Sequence, residues 1–122
     1  MPADRPGDYF TWTEFSSASS ARLTKANRAG IRVLCRVYLD PMRRRFGTCF
    51  VHSARRNARH NRRIGGAWRS YHVYSIRPGH AVADVSFARG TPEQWAAYAR
   101  SLGPTWSDPY LGHVHVDTRD LL

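Results

Sequence analysis

The chain is short of acid. It carries 9 Asp and Glu against 19 Lys and Arg, a formal charge of +10 over 122 residues. So large an excess points to polyanionic partners: nucleic acid, anionic lipid, or the phosphate-rich polymers of a bacterial wall. Cysteine is scarce too. Cys35 and Cys49 do not have the spacing of a metal motif, and buried free thiols are expected; a helix–strand disulfide stays open, since spacing alone does not decide it. No apolar run approaches the roughly 20 residues that cross a bilayer, so no membrane span is expected. The start, Met1-Pro2-Ala3-Asp4-Arg5-Pro6-Gly7-Asp8, lacks a basic segment followed by an apolar one. No secretory signal is therefore expected, and the product would be made in the cytoplasm and delivered by other means. Internal repeats and low-complexity linkers are absent as well.

What remains is the composition of a folded globule, with 42% apolar and 12% aromatic residues. The length suits one domain over 1–122, with 1–9 expected as a loose N-terminal lead. Phe10-Thr11-Trp12-Thr13-Glu14-Phe15 reads as a helical turn at a Thr cap. From about Asn27 to Arg45, Ile31, Leu34, Cys35, Tyr38 and Met42 recur at spacings of three and four, which predicts an amphipathic helix. Pro41 should kink or split it, and Gly47 should end it. Thr48 to Ser53 is β-like, Asn57 to Ile64 suits a short helix closed by Gly65-Gly66, and Ala81 to Phe87 alternates as a second strand. Thr91-Pro92-Glu93-Gln94 combines a Thr cap, Pro at the first position and Gln three residues after the cap, so a helix starts there. It carries Trp95, Tyr98 and Leu102 and ends near Gly103-Pro104. The loop Thr105 to Leu111 leads into Val114-His115-Val116-Asp117. The expected fold is a small α+β domain, an antiparallel sheet flanked by helices.

The chemistry gathers at Gly112-His113-Val114-His115-Val116-Asp117. Residues two apart on a strand share a face, so His113 and His115 project side by side. One imidazole can bind a metal while its neighbour reaches a water or substrate on it; the alternative is a half-buried strand whose histidines only hydrogen-bond. A catalytic zinc site needs three protein ligands and an open position. The best carboxylate is Asp84 on the second strand, preceded by His72 and His80.

Taken in order, Ser53-Ala54-Arg55-Arg56 with Asn61, Ile64-Gly65-Gly66-Ala67, Ser70-Tyr71-His72, Ala83-Asp84-Val85 and Val114-His115-Val116-Asp117-Thr118-Arg119 resemble the zinc D-Ala-D-Ala carboxypeptidase family. Its relatives include vancomycin-resistance D,D-dipeptidases and phage L-alanyl-D-glutamate endolysins. The resemblance runs from about Phe10 to Arg119. It implies the α+β fold shared with hedgehog domains, a Zn2+ cofactor held by His72, Asp84 and His115, and His113 as the active-site histidine off the metal. It further implies that Arg56 faces the substrate and that Ser70 supports the first ligand; Tyr110 and Trp106 suit a substrate groove. Where some relatives place Glu three residues before the last ligand, this chain has Gly112, which favours His113 as base or as stabiliser of the tetrahedral intermediate. Asp117 would either orient a ligand from behind or form a surface pair.

One departure concerns the first ligand. The family usually separates it from the Asp by six residues, whereas His72 and Asp84 enclose eleven. An insertion within Val73–Val82 fits that excess, and Pro78-Gly79 suits a loop. His80 is thus a rival, and His80-x-x-x-Asp84 with a later His-x-His also resembles lysostaphin-type endopeptidases. Ser-x-His and Gly-Gly-Ala belong to the first family and favour His72. The resemblance implies hydrolysis of an amide bond in peptidoglycan peptides, D,D-carboxypeptidase or L-Ala-D-Glu endopeptidase in type. A phage or prophage lysis protein, or a virion-associated hydrolase acting on the wall, fits best, with anionic wall polymers as further partners. The alternative, a basic nucleic-acid-binding module without catalysis, gives the ordered His and Asp residues no task.

Overall fold

A computed structural model of the chain describes residues 4–15, 23–53, 80–105, 107–119 and 121. The expected helix at Asn57 to Ile64, Gly65-Gly66, and site residues Arg56, Ser70, His72 and Trp106 lie outside the described residues.

A short 3-10 turn, Trp12–Phe15, precedes the long helical stretch. Helix α1 (Lys25–Leu34) starts on a reciprocal cap: the Asn27 amide donates to Thr24 Oγ1 and the Thr24 amide to Asn27 Oδ1. Two of the orphan donors of the first turn are thereby satisfied. The helical run continues through Pro41 rather than stopping there. Cys35–Leu39 forms a π turn and helix α2 (Asp40–Phe46) follows directly. Proline lacks an N–H and its ring crowds the carbonyl four residues back. The wider turn just before it, in which the Asp40 amide reaches Cys35 O, absorbs that misfit without ending the helix. Gly47, at φ +84°, closes α2. The segment 4–10 lies across these helices, with Asp4 beside Arg28 and Arg32 and the Asp8 amide donating to the buried Asp40 carboxylate at 2.9 Å.

Strands β1 (Cys49–Ser53), β2 (Val82–Phe87), β3 (Ser107–Pro109) and β4 (Val114–Asp117) form one antiparallel sheet in the order β1-β2-β4-β3. Helix α3 (Pro92–Leu102) is capped by Thr91 and Gln94 as the sequence predicts. The architecture is α+β. Strand β3 falls within the expected loop Thr105 to Leu111; its Ser-Asp-Pro has no apolar alternation to announce it, and its pairing with β4 makes it a strand.

Alternation gives the sheet two different faces. Ala83, Val85, Phe87, Val114 and Val116 join a core with Ile31, Leu34, Tyr38, Leu39, Met42, Trp95 and Ala99. Tyr38 is fully buried and its hydroxyl donates to Pro104 O at 2.8 Å, which spares a polar group from burial without a partner. Cys35 and Cys49 are free and buried, and burial pushes both thiols far above the ordinary range, so neither is a reactive thiolate. The opposite face carries Asp84, Ser86, His115 and Asp117. Among the described residues, no helix is long and apolar enough to cross a membrane.

Candidate metal centre

Strand register builds the site. Asp84 of β2 is the partner of His115 of β4, on the face turned away from the core. His115 Nδ1 lies 3.2 Å from Asp84 Oδ1, and its Nε2 lies 2.9 Å from Asp117 Oδ2. The two ring nitrogens therefore meet two carboxylates of different character. Asp84 keeps 21% of its side chain exposed, whereas Asp117 is wholly buried. Arg119 braces Asp117 twice, its Nε donating to Oδ2 at 2.8 Å and its amide to Oδ1 at 3.2 Å. Asp117 is thus no surface pair. It is a buried anchor behind His115, satisfied from two sides.

These contacts shift both groups in opposite directions. Burial alone would lower the pKa of His115, but hydrogen bonds and charge from Asp117 and Asp84 outweigh it, and the net shift is upward. Burial would likewise raise Asp117, yet the bond and charge of His115, with Arg119, hold it below the usual carboxylate range. A protonated ring donates to both carboxylates; a neutral ring that donates Nε2–H to Asp117 leaves Nδ1 on the Asp84 side.

Two of the ordinary donors of a zinc ion meet here. Ligand atoms at about 2.0–2.1 Å on a tetrahedral zinc stand about 3.3 Å apart, close to the 3.2 Å between Nδ1 and Oδ1. Imidazole and carboxylate are the ordinary zinc donors, and a carboxylate behind the ligating histidine is the usual orienting partner. Among the described residues, no group of three His, Cys, Asp or Glu side chains is placed to hold a metal ion, so Asp84 and His115 form an incomplete pair. His80 does not join them there: its Nδ1 lies 3.3 Å from Thr118 O, beyond the paired part of β2.

His113 stands just ahead of β4. The Tyr110 amide donates to His113 O at 2.8 Å, closing the turn Leu111-Gly112. The Tyr110 ring stacks on the His113 imidazole at 4.9 Å and 18°. Burial and the carboxylates of Asp108 and Asp84 push the Tyr110 phenol up, so it remains a neutral donor. On the other side the His52 ring stands 6.3 Å from His113, with His52 Nε2 2.6 Å from Ser86 Oγ. From the sequence His52 reads as a strand-end residue with no task; the β1 irregularity between Val51 and Ser53, which leaves no mark in the sequence, lies at this position.

A model of the family described as Peptidase M15 matches residues 8–117. No curated protein and no solved structure matches the chain.

Proposed function

The chain belongs to the M15 peptidase family, a family of metallopeptidases, and we propose that it is a zinc-dependent hydrolase of an amide bond in bacterial peptidoglycan peptides. The observation that carries this reading is the cross-strand approach of Asp84 Oδ1 and His115 Nδ1 at 3.2 Å on the face of the sheet turned away from the core. Asp84 and His115 would hold the metal together with a histidine of the preceding segment, His72. Zinc supplies a Lewis acid that polarises an amide carbonyl and brings the pKa of a held water toward ~7.

The remaining work belongs to side chains. Asp117 keeps the proton on His115 Nε2, so the ring offers Nδ1 to the metal and cannot rotate away. Arg119 neutralises Asp117 and prevents it from drawing that proton off. His113, held by Tyr110, takes the proton of the attacking water and returns it to the leaving amine. Arg56 supplies fixed positive charge to a substrate carboxylate or to the developing oxyanion. Ser70 would support the first ligand, and Trp106 with Tyr110 would suit a substrate groove, as the family resemblance implies.

The bond cut is of the D-Ala-D-Ala or L-Ala-D-Glu kind, and the setting is phage or prophage lysis of the wall, where a charge of +10 suits anionic wall polymers. Zinc analysis after purification without chelator, paired with mass analysis of digested peptidoglycan, tests the reading. One zinc per chain and peptides shortened at one amide are expected. Absence of stoichiometric zinc, or an undigested wall, overturns it.

A further inference from the structure

The face of the sheet turned away from the core carries a second row of side chains, one rung beyond Asp84 and His115. Register aligns Phe50 of β1 with Ser86 of β2. Extending the β2–β4 pairing by one step places Ser86 opposite His113, and the Tyr110–His113 bond brings Tyr110 to the far end. Two of these are large aromatics left open to solvent: Phe50 is 54% exposed and Tyr110 47%. Between them stand two imidazoles, since the irregularity in β1 lets His52 reach Ser86 and face His113. Bulges of this kind re-aim side chains beside functional sites.

We infer that this rung is an extended subsite, which receives a peptide chain lying across the strands, with Phe50 and His52 as its specificity-determining residues. The inference rests on reading Asp84 and His115 as the metal-binding pair of a peptidase. Three interstrand spacings of about 4.8 Å make the rung about 14 Å long, and an extended peptide advances about 3.3 Å per residue, so the rung matches about four residues. Its chemistry matches as well. The imidazoles of His52 and His113 can donate to backbone carbonyls, which recur along any peptide, while Phe50 and Tyr110 offer apolar ledges to the two ends. Exposed aromatics at both ends of a polar strip mark a binding face more readily than scattered surface residues do. A two-residue substrate would leave one ledge untouched.

The test is binding, so that it does not depend on turnover. A peptidoglycan stem tetrapeptide and its two-residue fragments, each methylated at the amide nitrogens to block hydrolysis while keeping the carbonyls, are titrated into the purified protein. The tetrapeptide is expected to bind at least about tenfold more tightly than either fragment. Phe50→Ala and His52→Ala should each shrink that ratio at least about threefold, and Phe50→Tyr should restore it. Both changed residues are exposed, so folding is not at stake. A tetrapeptide that binds no better than its fragments, or a preference untouched by both alanine variants, overturns the subsite. Zinc content and cleavage of unmethylated peptide in the same preparation report separately on the peptidase reading.

Discussion

Asp84 and His115 are register partners across β2 and β4, and their facing atoms, Oδ1 and Nδ1, stand 3.2 Å apart. Each comes from a different strand, so the sheet itself sets their separation. Rigid strands place side chains more reliably than loops do. Behind the pair, Asp117 and Arg119 fix the ring from its other nitrogen.

The first prediction concerns that backing. Asp117→Asn retains an acceptor for Nε2–H but removes the charge that balances Arg119 and raises the basicity of the ring. We expect zinc affinity to fall by about 10–100-fold while the fold persists. Competition with a chromophoric chelator measures it. An affinity equal to that of the unaltered protein would show that Asp117 serves packing alone.

pH dependence should differ in sign between the metal-free and zinc-loaded protein. His115 is raised in the folded state, so without metal its pairs stabilise fully below the ordinary value of 6.5 and cease to do so as pH rises through the raised value. Asp117 is lowered, so its contribution is present above the ordinary 3.8 and is lost as pH falls through its depressed value. Metal-free protein is therefore expected to gain most from these groups between about pH 3.8 and 6.5. Zinc needs the imidazole free of its second proton, so zinc affinity should weaken as pH drops through the same raised value. Urea unfolding with and without chelator across pH 5–9 checks both. Parallel pH profiles for the two forms would count against His115 as a ligand.

Two glycines give a comparison of strain alone with strain plus crowding. Gly112, at φ +85°, has open space where a Cβ would stand. Gly112→Ala should then destabilise by about 1 kcal/mol from the left-handed backbone alone. Gly90, at φ +87°, would place a Cβ 2.8 Å from Trp95 Nε1 and 2.9 Å from Phe46 Cδ1. Trp95 is held by its bond to Arg89 O and by ring contact with Phe87, so it has little room to yield. Gly90→Ala is expected to destabilise by at least about 2 kcal/mol. Equal losses in thermal or urea unfolding would mean the tryptophan moves aside freely.

Much of this was legible in the residues. Thr91 and Gln94 gave the start of α3 because a capping box is local chemistry, and the three-and-four spacing of Ile31, Leu34, Tyr38 and Met42 gave the core face of the long helix. The π turn before Pro41 was not legible, because the sequence shows the misfit but not which backbone distortion absorbs it. Strand β3 was hidden for a related reason: Ser107, Asp108 and Pro109 have weak strand preference, and only pairing with β4 settles their conformation. In the site, Val114-His115-Val116-Asp117 pointed to one strand, and Ala83-Asp84-Val85 to the acid on another. The burial of Asp117 and the approach of His52 to His113 depend on contacts between strands far apart in sequence, which no local pattern encodes.

Arg56 yields a prediction from the family pattern alone. Arg56→Ala is expected to lower turnover by about 10²-fold or more, the scale of losing one charged group beside a developing oxyanion. Zinc content and the unfolding midpoint should not move. Undiminished hydrolysis would return Arg56 to the solvated surface beside its arginine neighbours.

The last prediction separates His115 on β4 from His113 just ahead of it. His115 touches both Asp84 and Asp117, and it is the ring whose nitrogens are committed. His113, two residues earlier, is held by different neighbours, the Tyr110 ring at 4.9 Å and the His52 ring at 6.3 Å. Different partners should mean different losses. His115→Ala is expected to abolish both zinc and activity, because only two protein ligands would remain and Asp84 would lose its cross-strand partner. His113→Ala should leave zinc near one per chain while activity falls by about 10²–10⁴-fold, the range that a positioned base contributes. Metal analysis and peptidoglycan digestion on the same two preparations decide it. If His113→Ala also loses its metal, the strand supplies two ligands and the base must be sought elsewhere on the face.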